Sequence, residues 1–360
     1  MRWLALVVAV AACSLPNDRF HASVGDGAID GAGSGATDAN DACSNGMRRC
    51  DGATVSECSA GAWTTRETCD DVCSSGACVT PPSCSGGVAI CGMAGADTCC
   101  RSLPVPGGTF SRSYDGISSG FTDDRYHATV TPFWLDKYEV SVARFQKFVD
   151  AYPASQPQTG SGGNPRDASD PGWLASWTGQ LPATKPALQT MLACGNAGTQ
   201  QGALPVRCVT WYVAQAFCIW DQGRLPTEAE WNLVASGAEQ QRVYPWSSPA
   251  SSTAIATSDA VFGGVAAPAS AGTHPDGDGR WGHSDLGGNT SEWVFDSYAS
   301  PYPSDVCTDC ANHAASSMQS VRGGSYASVA ATLLASFRSG YPATATSDAI
   351  GFRCARDPMR

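Results

Sequence analysis

A stretch of acidic, glycine and small polar residues between positions 276 and 293 could bind a cation. Residues 276–279 read Asp-Gly-Asp-Gly, and residues 285–293 read Asp-Leu-Gly-Gly-Asn-Thr-Ser-Glu-Trp. Carboxylates that alternate with glycine-freed carbonyls suit a hard cation such as calcium, which prefers oxygen ligands. The spacing is not that of an EF-hand, and an acidic turn explains the same residues, so both interpretations stay open at this point.

Thiol, imidazole and hydroxyl groups give weaker signals. Cys307-x₂-Cys310 lies in a Pro/Ser/Tyr-rich stretch, where a local disulfide is the simplest expectation and a soft Cu(I) site is the alternative. Ser325 follows Gly323-Gly324, but no base stands at a known spacing from it. The sequence has no P-loop and no i, i+4 histidine pair of a zinc protease. The five histidines are scattered: His21, His127, His274, His283 and His313.

The N-terminus predicts export and lipidation. Residues 3–12 form an apolar run of ten residues, too short to span a bilayer, which needs about 20. The run therefore fits a signal peptide over residues 1–12. Val10-Ala11-Ala12-Cys13 resembles a bacterial lipobox, which predicts a lipid on Cys13, and Ser14 fits an outer-membrane address. An ordinary signal peptide is the alternative. With Cys13 set aside, the 17 cysteines leave an even sixteen, as disulfides in an oxidising compartment require.

Bulk charge argues against nucleic acid as a partner. The chain has 360 residues with 33 acidic and 22 basic side chains, a net charge of −11. Phosphate binding needs a basic face. The expected partners are instead the membrane, through the lipid anchor, and a peptide or small-molecule ligand.

Two segments precede the main domain. Residues 13–42 hold the lipidated cysteine and a Gly/Ala/Ser/Asp-rich tether that cannot bury enough apolar surface to fold. Residues 43–101 hold six cysteines and then four, so each block can close on itself, with 15 and 3 possible pairings. Such a small segment needs disulfides in place of a core. It resembles stalk modules on surface lipoproteins of myxobacterial type.

Residues 104–357 form the predicted main domain, which has few helices. Ser141 is a predicted N-cap for a helix that buries Phe145, Phe148, Val149 and Tyr152. A second helix is expected from Trp211 to Asp221, with Gly223 as its C-terminal stop. A capping box at 227–230 opens a third helix that ends at Gly237. A β-rich run is expected at 128–135, and 155–180 is expected to be an ordered loop.

The main domain resembles the formylglycine-generating enzyme, or sulfatase-modifying factor, family. Its motifs match in order along 104–357: Val-Pro-Gly-Gly-Thr-Phe at 105–110, Gly-Arg-Leu-Pro-Thr-Glu-Ala-Glu-Trp at 223–231, Asp-Leu-Gly-Gly-Asn at 285–289, Arg-Gly-Gly-Ser-Tyr at 322–326 and Gly-Phe-Arg-Cys at 351–354. The resemblance implies an α+β, C-type-lectin-related fold with little regular secondary structure. The small disulfide-rich module then precedes that domain.

The resemblance also implies a calcium site and disulfides. The family's structural calcium ligands fall on Asp285, Gly288, Thr290 and Glu292. The resemblance therefore favours a calcium site over a simple acidic turn at 285–293. A family disulfide falls on Cys218 and Cys354. The remaining cysteines of the domain would then pair Cys194 with Cys208 and Cys307 with Cys310.

The copper positions depart from the family. Family members that oxidise a sulfatase cysteine hold Cu(I) between two thiolates, which fall here on Ser328 and Leu333. A hydroxyl is a poor Cu(I) ligand and a leucine offers none. The family serine is kept as Ser325, and a pocket tryptophan is replaced by Ser291. We therefore expect copper chemistry to be lost.

Three functions follow from these observations. The first is a surface lipoprotein whose domain binds a ligand or acts structurally. The second is an enzyme that uses the same cleft for iron chemistry, as relatives in ergothioneine or siderophore synthesis do. The third is a formylglycine-generating oxidase with displaced cysteines, for which Cys307 and Cys310 are the candidates.

Overall fold

The computed structural model describes residues 43–194 and 202–357, apart from seven single positions. Those positions are Gly52, Ala53, Asp70, Asp71, Ser75, Val88 and Ala96. The predictions for the signal peptide, for lipidation of Cys13 and for the tether lie outside the described residues. In the part of the chain that is described, no helix combines the length and apolar character that crossing a membrane requires.

Short strands dominate and helices are few, as the composition suggested. The α-helices are α1 (Val142–Ala151), α2 (Ala175–Thr178), α3 (Lys185–Met191), α4 (Trp211–Trp220) and α5 (Glu228–Ser236). The strands of the cysteine-rich region are β1 (Arg48–Asp51), β2 (Thr54–Ser59), β3 (Ala62–Thr68), β4 (Val72–Ser74), β5 (Ala77–Val79), β6 (Ile90–Cys91) and β7 (Asp97–Thr98). Those of the main domain are β8 (Ser102–Val105), β9 (Gly108–Ser111), β10 (His127–Val130), β11 (Phe133–Asp136), β12 (Ser291–Ser297), β13 (Val306–Thr308), β14 (Met318–Arg322), β15 (Ser339–Pro342), β16 (Ile350–Phe352) and β17 (Ala355–Arg356).

Three small sheets build the main domain. A four-stranded sheet has the order β15-β14-β12-β16, with β12 antiparallel to β14 and parallel to β16. Two three-stranded sheets have the orders β13-β10-β9 and β17-β11-β8. The mixture of helices with mainly antiparallel strands is the α+β class that the sequence predicts. β12 and β14 are the two central strands of the four-stranded sheet, so the turns before β12 and after β14 adjoin the middle of that sheet.

The cysteine-rich region closes on itself in two blocks. The first block pairs Cys43–Cys58, Cys50–Cys73 and Cys69–Cys78, and the second pairs Cys84–Cys100 and Cys91–Cys99. The second block also packs on the main domain. The Ser83 amide donates to Asp221 (2.8 Å), and Arg144 Nη1 donates to the Cys99 carbonyl (3.3 Å). The two parts therefore share buried polar contacts.

Local capping signals position the main helices. The Ser141 hydroxyl accepts from the Arg144 amide and starts α1, and Thr227 and Glu230 form the predicted capping box of α5. α1 and α4 then bury an aromatic layer, with Phe145 stacked on Phe217 at a centroid distance of 5.4 Å. Aromatic pairs at such distances add to the stability that burial alone provides.

Two predictions about these elements need correction. Gly223 is not the left-handed stop of α4, because that conformation falls on Gln222 (φ 63°). Gly223 is needed for another reason: a Cβ there would lie 2.5 Å from the carbonyl oxygen of Ala355. The predicted loop at 155–180 contains the short helix α2, and α3 follows it, neither of which the sequence pattern indicated.

Candidate functional site

The turn after β14 carries the family serine. Gly323 and Gly324 both have left-handed backbone (φ 87° and 68°), which a residue with a side chain rarely adopts. The Ser325 amide donates to the Ser328 hydroxyl (2.9 Å), and the two hydroxyl oxygens lie 3.2 Å apart. The two serines therefore satisfy one another within the turn.

The second copper position is occupied by the apolar side chain of Leu333. Leu333 is fully buried in a small apolar cluster with Val243, Tyr244 and Ala260. A leucine there packs the interior and offers no lone pair to a metal. Ser291, at the position of the pocket tryptophan, is half-buried at the start of β12. The residues at these positions do not fit a Cu(I) site.

The sixteen cysteines of the described residues are all in disulfides. In the main domain the structure joins Cys218 to Cys354, Cys194 to Cys208 and Cys307 to Cys310. Within the described residues no thiolate remains to replace the missing copper ligands. No three His, Cys, Asp or Glu side chains of these residues group as metal ligands either.

The predicted calcium residues make other contacts. Arg353 donates to both carboxylate oxygens of Glu292, with Nη2 2.6 Å from Oε1 and Nε 2.8 Å from Oε2. Trp231 Nε1 also donates to Glu292 Oε2 (2.8 Å). The Thr290 amide and hydroxyl donate to Glu139, and Asp285 accepts from the Gly272 amide (2.6 Å).

Both oxygens of Glu292 already accept from donors, so a calcium ion there would have to share or replace these contacts. The carboxyl groups of Glu139, Asp285 and Glu292 nevertheless all lie near the guanidinium of Arg353. Burial, reinforced by the charges of Asp285 and Glu292, raises the pKa of Glu139 well above its usual range. Burial also raises the pKa of Asp285 to about 6. The calcium site therefore stays a prediction, and Arg353 supplies the positive charge that the structure shows.

A second buried charge cluster anchors the helices beneath these turns. Arg144 bridges two aspartates, with 2.8 Å to Asp136 and 2.6 Å to Asp221, and Arg356 contacts the same two carboxylates. Burial opposes ionisation of Asp136, but the charges of Arg144 and Arg356 outweigh it and hold its pKa at about 2. Such a closed set of pairs fixes geometry, since breaking one leaves an uncompensated buried charge. This is a structural role.

A cavity of about 370 Å³ lies at the opposite end of β12 from Ser291. Trp177 from α2 and Trp211 from α4 form part of its wall in an edge-to-face pair with centroids 5.0 Å apart. His313 lines another part and pairs with Asp167 (Nε2–Oδ2 2.6 Å). Gln319 also lines it, and its buried Oε1 has no hydrogen-bond partner among the described residues.

Sequence reasoning did not find this cavity. Its walls come from α2, the start of α4, the end of β12 and residues 312–316, which are far apart in the chain. Trp173 and Trp177, four residues apart, were one available signal, but they lie in the segment expected to be a loop. His313 was counted only as a scattered histidine.

Comparison with known proteins decides the family. The family described as sulfatase-modifying factor enzyme 1-like domain matches residues 93–358. The chain belongs to this family. The match starts inside the second cysteine block, in keeping with the contacts that join that block to the main domain.

Two relatives of this sulfatase-modifying factor domain show the range of the family. The chain is 26% identical over 260 residues to hercynine oxygenase of Mycolicibacterium smegmatis, covering 66% of this chain and 56% of that protein. It is 31% identical over 166 residues to formylglycine-generating enzyme of Thermomonospora curvata, covering 40% and 51%. The chain thus spans about half the length of the first relatives it matches.

A solved structure shows the same fold. The structure of PvdO from Pseudomonas aeruginosa superimposes with a TM-score of 0.53 at 18% identity, covering 71% of this chain and 94% of that one. This likeness shows the fold of the sulfatase-modifying factor domain, an α+β arrangement with few helices and, here, several disulfides.

Proposed function

We propose that the chain is a lipid-anchored surface protein whose sulfatase-modifying factor domain binds a ligand without copper chemistry. One observation carries this proposal. The copper positions hold a hydroxyl that is bonded to Ser325 and a leucine that is fully buried, and the described cysteines are all paired. A soft metal ion has no donors there, while the scaffold around the turn is intact.

The aromatic cavity is where we propose that the ligand binds. Its volume of about 370 Å³ lies in the range of small-molecule sites, which combine apolar walls with a few fixed polar groups. Trp177 and Tyr212 are half-buried and can each contact a bound apolar group. Leaving a buried amide oxygen such as that of Gln319 unpaired costs about 1–3 kcal/mol, so a donor on the ligand would relieve that cost.

The ligand chemistry follows from this lining. His313 is paired with Asp167, and no Lys or Arg lines the cavity. The cavity therefore suits a neutral small molecule or peptide side chain with one flat apolar face and at least one hydrogen-bond donor.

The membrane anchor is the second part of the proposal. Lipid on Cys13, followed by the tether over 14–42, would hold the disulfide-linked region and the domain at the outer membrane. Stable anchoring takes more than one acyl chain, which lipobox processing supplies. Changing Cys13 to Ala should release the protein from salt-washed membranes; a variant that still sediments would place the anchor elsewhere.

An oxidoreductase of the same family is the alternative. The match to hercynine oxygenase, which extends over 66% of this chain, favours it. It would need a metal site, and among the described residues no three potential ligands converge.

The binding experiment uses two cavity variants and one matched control. Trp177→Ala removes an aromatic wall, and Gln319→Leu removes the unpaired oxygen at similar volume. Trp63→Ala removes a half-buried tryptophan that packs on Arg49 in the cysteine-rich region, away from the cavity. The full chain is screened by thermal shift against neutral metabolites and tripeptides, and hits are measured by calorimetry. We expect binding that both cavity variants weaken at least about tenfold and the control retains. Binding that all three retain would place the site outside the cavity.

A further inference from the structure

The disulfide Cys307–Cys310 contributes the least to constraining the unfolded chain. It joins residues three apart, whereas the other described disulfides join residues 8 to 136 apart. Stabilisation by a disulfide rises with the length of the loop that it closes. Stabilisation of the fold therefore does not by itself account for this bond.

The surroundings would hold both cysteines in place with the bond open. Cys307 lies in β13, which pairs with β10 through Ala128. Asp309, between the cysteines, accepts from the amide (2.7 Å) and hydroxyl of Thr131. Backbone pairing and this side-chain clamp are both independent of the disulfide.

Access sets this disulfide apart from its neighbours. Cys307 and Cys310 are both half-buried at the surface of the domain. Cys218 and Cys354 are fully buried, as is Cys208. Cys194 is half-buried as well, but its partner Cys208 is buried. Thiol–disulfide exchange needs a thiolate to reach a sulfur atom, and among these three main-domain disulfides both cysteines are partly exposed only in Cys307–Cys310.

A fixed positive charge lies beside one of the two sulfurs. Arg112 Nη1 is 3.8 Å from Cys310 Sγ, and the guanidinium also donates to the carbonyls of Ser304 (2.6 Å) and Tyr126 (3.3 Å). Arg112 is 5% exposed, and it packs over the ring of Tyr302 at 4.3 Å. These contacts fix the guanidinium next to the sulfur.

Arg112 also lacks a carboxylate partner. Among the described residues no Asp or Glu oxygen forms an ion pair with it. Burial lowers its pKa, and the more distant charges of Tyr302, Asp296 and Glu228 oppose this only in part. An anion at Cys310 would pair with this charge, and a neighbouring arginine lowers the pKa of a cysteine thiol.

We propose that Cys307–Cys310 is an exchange-active disulfide that oxidises an external dithiol, with Arg112 stabilising the thiolate of Cys310. One thiolate of the dithiol attacks Cys307 Sγ. The Cys307–Cys310 bond breaks and its electron pair leaves on Cys310 Sγ beside Arg112. The second thiol of the dithiol loses its proton to water and attacks the mixed disulfide. Cys307 leaves and takes up a proton, so the protein gains two electrons and the dithiol becomes a disulfide.

The direction of attack follows from the two environments. The sulfur that carries the more stable thiolate is the better leaving group, which is Cys310 beside Arg112. Cys307 Sγ lies 3.9 Å from the carbonyl oxygen of His127, an acceptor that favours the protonated thiol. A cavity of about 60 Å³ between Arg112, Tyr302 and the two cysteines opens beside them.

The test titrates the full chain with dithiothreitol and compares two disulfides in the same molecules. Free thiols are trapped with N-ethylmaleimide and counted by peptide mass spectrometry. We expect Cys307–Cys310 to be half reduced at a dithiothreitol concentration at least about tenfold below that for Cys194–Cys208. Opening together with, or after, that control pair would overturn the proposal.

The charge argument has its own readout. In the reduced protein, the rate of Cys310 alkylation by iodoacetamide should rise with a midpoint at least about one pH unit below 8.5, the value of a free cysteine. A midpoint at or above 8.5 would overturn the role of Arg112. Arg112→Met should raise the dithiothreitol concentration for half reduction about tenfold, and Arg112→Lys should restore it in part. The midpoint of Cys310 alkylation in the wild-type protein tests the proposal even if Arg112→Met does not fold.

Discussion

Arg353 pairs with Glu292 through two nitrogen–oxygen contacts, of 2.6 Å and 2.8 Å, where neither side chain reaches solvent. Arg353 Nη1 also donates to the Lys137 carbonyl (2.8 Å), and Nη2 donates to the Ser284 carbonyl (2.8 Å). The guanidinium thus joins β12 to the loops before α1 and before the 285–290 turn. It stabilises the segment where the sequence predicts calcium.

Removing Arg353 should destabilise the fold strongly. Arg353→Met leaves Glu292 buried without a counter-charge, next to Glu139 and Asp285, and breaking such a pair costs about 3–5 kcal/mol. The matched control is Arg280→Met, whose exposed pair with Glu239 contributes about 0–1 kcal/mol. Urea denaturation measures both. Equal losses in the two variants would contradict the central role of the Glu292 pair.

Calcium, which the sequence predicts at Asp285, Gly288, Thr290 and Glu292, should raise the melting temperature of the metal-stripped protein. A calcium ion at Glu292 would have to share or replace the contacts that Arg353 makes with both carboxylate oxygens. A cation that bound only the folded state would stabilise it by about 2.7 kcal/mol at a hundredfold excess over its Kd.

Glu139 and Asp285 have raised pKa values, and a cation bound beside them would favour their ionised forms. A calcium-dependent rise in melting temperature that disappears in Glu292→Gln would establish the site expected from the sequence. An unchanged melting temperature in the parent protein would count against the site.

The stability of the protein should be greatest near pH 5. Burial raises the pKa of Asp285 to about 6 and that of Asp296 to about 7. A carboxyl with a raised folded-state pKa binds protons that the unfolded chain releases, so stability increases as pH falls from 8 to about 5.

Burial opposes ionisation of Asp136 and Glu228, but neighbouring arginines hold their pKa values at about 2. The stability that those two carboxylates contribute is lost as pH falls from about 4 towards 2.

Asp296 provides the variant that isolates this effect. It accepts from the Glu228 and Asn312 amides, so Asp296→Asn removes the titrating proton with little change in shape. We expect the rise in melting temperature between pH 8 and pH 5.5 to shrink by at least about 3 °C, roughly 1 kcal/mol for a chain of this size. The exposed carboxylate of Asp150 is the control, and Asp150→Asn should keep the full rise. An unchanged profile in Asp296→Asn would show that Asp296 is ionised across this range.

Local signals in the sequence were sufficient for the capped helices. Ser141 and the Thr227–Glu230 box act within one turn of the backbone, so the residues that start α1 and α5 are adjacent in the sequence. The interpretation of Gly223 was wrong because its constraint comes from the Ala355 carbonyl, over a hundred residues away. The cavity was missed for a similar reason, because its wall pairs Trp177 with Trp211, which are not neighbours in the sequence.

Cysteine pairing was predictable only in part. Even counts indicated that each block of 43–101 closes on itself, and it does, but six cysteines allow 15 pairings. The choice of Cys50 with Cys73 depends on how β1 and β4 lie against each other, which no local pattern specifies. Likewise, Arg112, which follows β9, and the His127 carbonyl of β10 contact this disulfide from far away in the chain, so the sequence could not place Arg112 beside Cys310.

The purified full chain should not convert the cysteine of a sulfatase peptide to formylglycine. Copper(I) in the oxidising members of this family is held by two sulfurs, which are replaced here by Ser328, hydrogen-bonded to Ser325, and by the fully buried Leu333. Reduction of Cys307–Cys310 would release two thiols, but they lie beside Arg112, whose positive charge opposes binding of a cation. The assay incubates protein, peptide, copper and reductant and measures loss of sulfur and gain of the aldehyde by mass spectrometry. Turnover that disappears in Cys307→Ala would reveal a relocated copper site at this pair. Turnover that survives this substitution would mean that oxidation in this chain does not depend on two-sulfur copper ligation.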